Sequence, residues 1–198
     1  LVLRASGQEV VAEGSACNEL QLLEDVPNNW EAWDIDLFSH ETAQALRGKT
    51  EIEVVERGPV RAAIRVTRSF GSSRIVQDIR LAAGAPFLEF AATVDWHEDR
   101  KMLKAAFPVR VNSTRATYEI QFGHVERPTH YNTSWDQARF EVCGHKWADL
   151  SEGAWGVALI NDCKYGYDTY QNTMRLTLLR SPQAPDPTAD RGTHHITY

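Results

Sequence analysis

Apolar and polar residues alternate with a period of two over much of residues 51–111, and this pattern constrains the fold more than any other feature. Successive side chains of a β-strand point to opposite faces, so each alternating run predicts a strand with one face in a core. The other face is expected to meet solvent or a second layer. The clearest runs are 60–66 (apolar set Val60, Ala62, Ile64 and Val66), 88–96 and 103–111.

Short clusters of glycine, proline and charged residues separate these runs, as turns do. They lie at 57–59, 71–73, 83–86 and 98–100. Several strands at this spacing, with no helical stretch between them, predict antiparallel sheets stacked as a β-sandwich. We therefore expect an all-β fold with little helix, in which residues 1–198 form a single domain.

The other segments give weaker signals. Residues 20–25 and 176–180 each suit a strand. Residues 181–193 are rich in Pro and Asp and are expected to form a long loop. Residues 39–46 favour a short helix, with Ser39 as its N-cap.

Composition limits the classes of partner. The 198 residues carry a formal net charge of −6, which argues against nucleic acid and anionic membranes as partners. No apolar run approaches the length needed to span a bilayer. The chain begins at Leu1 and stops at Tyr198 within a strand-like run, so we expect a piece truncated at both ends from a longer multidomain protein.

The three cysteines, Cys17, Cys143 and Cys163, are odd in number, and their spacing matches neither a zinc site nor a disulfide framework. Free thiols suit a reducing compartment. We expect each cysteine to be a small buried hydrophobe.

Hydrolysis of a glycosidic bond generally requires two carboxylates on opposite sides of the scissile bond. Spacing alone selects no such pair in this chain, so we assign no catalytic residue. The carboxylates considered are Asp34, Asp36, Asp95, Glu98, Asp149, Glu152, Asp162, Asp186 and Asp190.

The histidines give no metal motif either. His124, His130 and His145 lie near one another in sequence, but their spacing matches no short zinc motif. We expect them to form hydrogen bonds in loops, and we assign no metal ligand in this chain.

Trp30 and Trp33 lie in an aromatic and acidic stretch, residues 28–36. The C–H face of a sugar stacks on aromatic rings, and its hydroxyls bond to Asp and Asn, so this chemistry suits a carbohydrate ligand. Large aromatic residues also suit the join between this domain and another one. Both interpretations remain open at this point.

Four residues of the last third are the candidates for substrate contacts: Arg127, Asp162, Lys164 and Tyr165. Arg127 precedes Pro128 and is expected on a rigid turn, where its guanidinium would hold a hydroxyl or a carboxylate. The other three follow an apolar run at the end of a predicted strand, a common place for ligand contacts. A local ion pair or a contact with another domain would explain each of them as well.

Several segments together resemble one known family. They closely resemble the C-terminal β-domain of the glycoside hydrolase family 38 α-mannosidases, in their cytosolic and bacterial branch. The chain departs from the family pattern at Glu31, where the family has Asp. The resemblance implies a β-sandwich similar to the super-sandwich of sugar mutarotases. The segments are Asp-Val-Pro-Asn-Asn-Trp-Glu-Ala-Trp-Asp at 25–34, Val-Asp-Trp-His-Glu at 94–98, 104–108, 123–130, 139–152, 161–166, 178–182 and 185–195.

For the parent protein the resemblance implies hydrolysis of terminal α-linked mannose with retention, through an Asp nucleophile and a second carboxylic acid. It implies zinc held by an N-terminal catalytic α/β domain, with a helical middle domain, both outside this sequence. This piece would pack on the catalytic domain, lend Arg127 and residues 162–165 to the pocket rim, and be inactive alone. The resemblance also implies mannose-containing oligosaccharides as ligands and a cytoplasmic location, and it allows a homo-oligomer.

Two other functions fit the same residues. The chain would be a stand-alone carbohydrate-binding module if it held mannosides with an affinity of its own. It would be a mutarotase-like epimerase if a histidine acid and a carboxylate base equilibrated sugar anomers. An upstream α/β domain carrying a His-x-Asp zinc pair would favour the mannosidase.

Overall fold

The computed structural model describes residues 1–4 and 6–198. A 3-10 helix at Leu37–Thr42 and a short α-helix, α1, at Ser134–Gln137 are the helices of this part of the chain, and neither is long and apolar enough to cross a membrane. The strands are β1 Val2–Leu3, β2 Gln8–Glu9, β3 Glu19–Glu24, β4 Gln44–Ala45, β5 Thr50–Arg57, β6 Arg61–Phe70, β7 Ser73–Ala82, β8 Glu89–Trp96, β9 Lys101–Pro108, β10 Arg115–Ile120, β11 Gly123–Pro128, β12 Val142–Cys143, β13 Trp147–Glu152, β14 Trp155–Ile160, β15 Gly166–Tyr170, β16 Thr173–Arg180 and β17 Gly192–Thr197.

The strands form four sheets whose pairings are antiparallel. The six-stranded sheet has the order β12-β15-β16-β9-β3-β4, and the five-stranded sheet has the order β17-β8-β7-β6-β5. A four-stranded sheet, β11-β10-β13-β14, and the pair β1-β2 complete the set. The predicted antiparallel all-β sandwich with little helix is confirmed.

The two larger sheets stack face to face around an apolar core. Phe90 of β8 meets Phe107 of β9, with ring centroids 5.7 Å apart. Asn18, just before β3, donates from Nδ2 to Gln77 Oε1 of β7 at 2.6 Å. The buried Tyr198 hydroxyl bonds to both of these side chains. It accepts from Gln77 Nε2 and donates to Asn18 Oδ1. These contacts place β8 over β9 and β7 over the start of β3.

Alternation in β8 is confirmed, since Phe90, Ala92, Val94 and Trp96 are buried and the residues between them are not. β9 behaves differently, because residues 102–107 are all buried. It lies inside the six-stranded sheet, with the five-stranded sheet on one side and chain segments on the other. The second face of this run therefore meets a second layer.

The prediction of burial for the first alternating run is confirmed for Val66 and wrong for the other three apolar residues. Val60, Ala62 and Ile64 are exposed, and the buried residues of β6 are Ala63 and Val66. β6 is next to the edge strand β5, where the sheet extends past its cover. An apolar face at this edge is consequently not a buried face.

The helix predicted for residues 39–46 is wrong. The 3-10 helix begins earlier, with Asp36 in the N-cap position, and Gln44–Ala45 then pair with β3 as the edge strand β4. Pairing with the sheet outweighs a weak local preference for helix.

The strands predicted at 20–25 and 176–180 are confirmed as β3 and as part of β16. The predicted loop at 181–193 is confirmed up to the start of β17 at Gly192.

The expectation that all three cysteines are buried is wrong. Cys143 and Cys163 are exposed, and Cys17 is partly buried. Cys143 lies on the two-residue edge strand β12 and Cys163 in the loop after β14, where little chain covers them. Burial raises the pKa of the Cys17 thiol.

Candidate functional site on the outer face of the six-stranded sheet

The outer face of the six-stranded sheet collects charged residues from its central strands. Cross-strand partners share a face of a sheet, and Lys104 of β9 pairs with Thr177 of β16. Arg175, two residues before Thr177, points to the same side and pairs with Asp168 of β15. The register of three strands therefore brings Lys104, Arg175 and Asp168 together.

Lys104 is fully buried and lies between two carboxylates. Its ammonium donates to Asp168 Oδ2 at 2.6 Å and also to Glu141 Oε1. Arg175 Nη1 donates to Asp168 Oδ1 at 2.7 Å, and His40 Nε2 lies 2.9 Å from Glu141 Oε1. We call these five residues the Lys104 cluster. Its two cations balance its two carboxylates when His40 is neutral.

Burial and pairing act in opposite directions on the pKa values of this cluster. Burial lowers the pKa of Lys104, while the attraction of Asp168 opposes that change. Burial also acts to raise the pKa of Asp168, but Lys104 and Arg175 hold this pKa below its ordinary value. Burial, with the Lys104 charge, lowers the pKa of His40 to about 4, so the ring is neutral at pH 7.

Three members of the cluster are of metal-ligand type. Ligand atoms of His40, Glu141 and Asp168 lie within 4.8 Å of one another. The Lys104 ammonium already binds both carboxylates, however, and a divalent cation would have to displace it. The donor set therefore suits a buried ion cluster better than a metal centre.

Residues 26–42, named here the cover segment, lie over the outer face and are anchored by Arg180. A β-bulge in β16 turns Arg180 to this face of the sheet. Its guanidinium binds the buried Asp25 carboxylate through Nε at 2.7 Å and Nη2 at 3.0 Å. Nη2 also donates to the carbonyl oxygens of Glu31 at 3.0 Å and Asp34 at 2.6 Å. One arginine thus ties the cover segment to the sheet.

Glu31 uses its side chain within this anchorage. Its Oε1 accepts from Arg100 Nη2 at 2.8 Å, and its Oε2 accepts from the backbone N–H of Gln183 at 2.8 Å. These bonds from Gln183 and Arg100 lower the pKa of Glu31. The carboxylate thereby joins the cover segment to the loop that follows β16.

The cover segment exposes three aromatic side chains although its backbone is anchored. Trp30 and Trp33 are each 72% exposed, and Phe38 is 65% exposed. Trp30 has a φ of 59°, in the left-handed region that bulky residues rarely adopt. Its carbonyl accepts from the N–H groups of Trp33 and Asp34, which hold this conformation. Strained backbone and exposed aromatic rings are typical of contact surfaces, and we call these three residues the aromatic surface.

Arg127 does not lie on the rigid turn that was predicted for it. It lies within strand β11, where it pairs with Ala116, because the chain up to Pro128 continues the β10–β11 hairpin. Its guanidinium stacks on the Tyr118 ring, with Cζ 5.0 Å from the ring centroid. Its Nη1 is buried without a hydrogen-bond partner among the described residues.

Asp162, Lys164 and Tyr165 lie in the loop after β14, as the sequence predicts. The backbone N–H of Lys164 donates to Asn161 Oδ1 at 2.5 Å, and the Asp162 N–H donates to the Thr197 carbonyl at 3.1 Å. Tyr165 is 54% exposed. The loop therefore has a fixed backbone and presents an accessible aromatic ring.

The structure does not bring Arg127 to this loop. β11 and β14 are the two edges of the four-stranded sheet, with β10 and β13 between them. Arg127 and the 161–165 loop are consequently separated by two strands of this sheet. Substrate contact by Arg127, Asp162, Lys164 or Tyr165 remains a prediction.

The members of the Lys104 cluster come from five separate segments, so no local sequence pattern identifies the cluster. One signal was present in the sequence. Lys104 is the one charged residue within 102–107, where every other residue is apolar. A lysine at the centre of such a strand requires a buried carboxylate partner, since an unpaired buried charge is too costly.

Together, the fold and these surfaces define an antiparallel β-sandwich domain that is suited to contacts with another molecule or domain. Residues 1–188 match the family described as the glycosyl hydrolases family 38 C-terminal domain. The chain therefore belongs to this family, and the resemblance noted in its sequence is confirmed.

The relatives that it matches are longer proteins. Human alpha-mannosidase 2C1 is 50% identical over 200 residues, which cover 100% of this chain and 19% of that protein. Alpha-mannosidase G of Dictyostelium discoideum is 44% identical over 204 residues, again 100% of this chain and 19% of that protein. The chain thus spans about a fifth of the length of these relatives.

A solved structure shares the fold. The crystal structure of an alpha-mannosidase from Enterococcus faecalis V583 aligns with 99% of this chain and 26% of that chain, with a TM-score of 0.79 and 15% identity.

Removal of the buried cation should destabilise the domain strongly. Lys104→Met leaves the Asp168 and Glu141 carboxylates in place without their shared partner, so we expect a loss of about 3–5 kcal/mol in the free energy of unfolding. Urea unfolding measures this loss. Lys101→Met on the same strand is the control, because the Lys101 partner Glu24 is exposed, and its cost should stay below about 1 kcal/mol. Equal costs for the two variants would contradict the role of Lys104.

Burial of neutral His40 should make the fold sensitive to acid. The ring has a pKa of about 4 in the folded chain and 6.5 ordinarily, so between these values the unfolded state binds more protons. The free energy of unfolding should therefore fall as the pH decreases from 6.5 to 4, by about 3 kcal/mol from this residue. His40→Gln should remove this part of the loss, measured by urea unfolding across the pH range. The exposed His97→Gln is the control, and identical pH profiles for His40→Gln and the unchanged chain would refute the assignment.

Proposed function

We propose that this chain is the β-sandwich domain of an α-mannosidase that hydrolyses terminal α-linked mannose with retention of configuration. The observation that carries this proposal is that the full length of this chain aligns with part of proteins named alpha-mannosidases. In the parent enzyme the domain packs on the catalytic domain and lends contacts to the rim of the pocket. A cytoplasmic location agrees with three cysteines that are free in the structure.

The chemistry of bond cleavage is assigned to the part of the parent outside this chain. A retaining glycosidase needs a carboxylate nucleophile and a separate carboxylic acid. The fully buried carboxylates here are engaged elsewhere, Asp25 with Arg180 and Asp168 with Lys104 and Arg175. Zinc, bound by the catalytic domain, would orient the sugar hydroxyls. This chain alone is accordingly proposed to be inactive.

The 161–165 loop is the best-suited part of the chain for rim contacts. Asn161 and Thr197 fix its backbone, so its side chains are presented in one geometry. Tyr165 offers an exposed ring for the apolar face of a sugar, and Lys164 and Asp162 offer groups for its hydroxyls. A preorganised loop of this kind loses little conformational entropy on binding.

The full-length parent should release mannose from an aryl α-mannoside, with α-mannose as the first product by NMR. Tyr165→Ala in the parent should raise KM about fivefold, equivalent to about 1 kcal/mol of lost contact, with kcat little changed. Phe122→Ala is the matched control, because this fully exposed ring lies at the β10–β11 turn. Substrate turnover measured by mannose release gives both constants.

Turnover by chain 1–198 alone, with zinc added, would overturn the proposed division of labour. A parent that forms β-mannose first would contradict retention, and equal KM values for Tyr165→Ala and Phe122→Ala would remove the loop from the pocket rim.

A second candidate function is carbohydrate binding by the domain itself, and the aromatic surface favours it. Trp30 and Trp33 are exposed on an anchored backbone, and Asp34 lies beside them in sequence. Stacking of a sugar on such rings, with a carboxylate for its hydroxyls, is sufficient for weak binding without catalysis.

Isothermal titration of chain 1–198 with mannose and short α-mannosides tests this second function. Binding should occur in the millimolar range, about −4 kcal/mol, and should be lost in Trp30→Ala/Trp33→Ala. Trp135→Ala is the control, since this ring is equally exposed on α1, outside the aromatic surface. A flat titration of the unchanged chain would leave the enzyme-domain function as the sole proposal.

A further inference from the structure

The inner face of the five-stranded sheet is apolar to its edge, but its burial stops part-way. One cross-strand row runs from Phe90 on β8 through Ile79 and Ile64 to Val54 on β5. Phe90 is 7% exposed, Ile64 is 39% exposed and Val54 is 50% exposed. Exposure of like side chains therefore rises steadily toward the β5 edge.

The neighbouring row repeats this gradient. Ala92, Gln77 and Val66 are buried, yet Ile52 at the end of the same row is 67% exposed. Leu81, on the inner face of β7, is 47% exposed. We call Ile52, Val54, Ile64 and Leu81 the edge patch.

The gradient follows from the unequal extent of the two stacked sheets. Phe90 lies over Phe107 of β9, and Gln77 lies over Asn18 at the start of β3. The six-stranded sheet continues past β3 only by β4, which has two residues. Among the described residues, the inner face of β5 and that of β6 around Ile64 thus have no facing sheet.

The opposite face of the same strands is different in character. Arg65 binds Asp78 at 2.7 Å and lies 3.8 Å from Glu53, so the outer face is laced with ion pairs. The outer positions of β5 and β6 include Glu51, Glu53 and Arg65, whereas the inner positions beside them include Ile52, Val54 and Ile64. The charged outer face is suited to solvent exposure. The apolar inner face is suited to burial under another layer.

We propose that the edge patch is covered in the parent enzyme by a segment of the same polypeptide outside residues 1–198. This segment would lie beside β4 and continue the layer that the six-stranded sheet begins. The patch is continuous with the sandwich core, and the matched relatives have about four-fifths of their length outside the aligned part. The inference rests on the proposed function only in taking the chain as one domain of a longer enzyme.

A second copy of the chain fits the patch less well. A stable dimer commonly buries about 800 Å² on each partner, far more than four side chains offer. A segment already tethered to the domain needs no such area, because its effective concentration is high.

Peptide-resolved maleimide labelling of the full-length parent tests the proposal with adjacent residues of one strand. Val54→Cys places a thiol in the edge patch, and Glu53→Cys places one on the outer face of the same strand. Val54 and Glu53 are similarly exposed in this chain, so an uncovered edge would label both at similar rates. We expect Val54→Cys to react about tenfold more slowly, or slower still, because the covering segment must open first.

Ile52→Cys and Glu51→Cys form a second pair that should repeat this contrast if one variant folds poorly. Equal labelling rates within both pairs would overturn the proposal. Protection of Val54→Cys that disappears on dilution would also overturn it, since that result identifies a second copy as the cover. Mannosidase activity of the same variants is recorded separately, so a parent that lacks this activity but shows the contrast refutes only the proposed function.

Discussion

The buried ammonium of Lys104 is the interaction on which the outer layer of this domain depends. A lysine with no exposed surface is tolerated only because Asp168 and Glu141 both accept from it. The desolvation of four charged groups offsets much of the attraction between them, so the cluster is not primarily a source of stability. The cluster ties β9, β15, β16 and the chain around Glu141 to one another, because each charge has its partner on a different segment. A shift of register in any of these strands would leave a buried charge alone.

Contacts with this cluster and with Arg180 fix the position of the cover segment. His40, in its 3-10 helix, meets Glu141, and Arg180 holds the chain at Asp25, Glu31 and Asp34. Anchorage at both ends leaves the middle of the segment without freedom to fold its rings inward. The exposure of Trp30 and Trp33 is therefore a result of where the backbone is tied. This explains why an anchored segment can carry two largely exposed tryptophans.

Local pattern predicted the sheets well and the charged cluster poorly, for a physical reason. Alternation in β8 identifies a strand and its inner face, because side-chain direction is a local property. The same pattern in β6 correctly indicates that Ile64 points to the inner face, but it does not predict burial, because no second layer faces Ile64 there. The Lys104 cluster joins residues up to 135 positions apart, from His40 to Arg175, and no local sequence pattern records such a contact. Arg127 was misplaced for a similar reason, because the residue before a proline favours extended backbone and the pairing with Ala116 makes this stretch a strand instead of a turn.

The internal balance of charges also decides which surfaces remain for contacts. Its central charges are paired within the sandwich, whereas the aromatic surface and the edge patch are exposed apolar groups. These lie on two different layers: the aromatic surface outside the six-stranded sheet, and the edge patch inside the rim of the five-stranded sheet. Surfaces on separate layers can be occupied at the same time, which a single groove would not permit. A sandwich held rigid by buried ion pairs would then fix the distance between the molecules or domains that bind at the two surfaces.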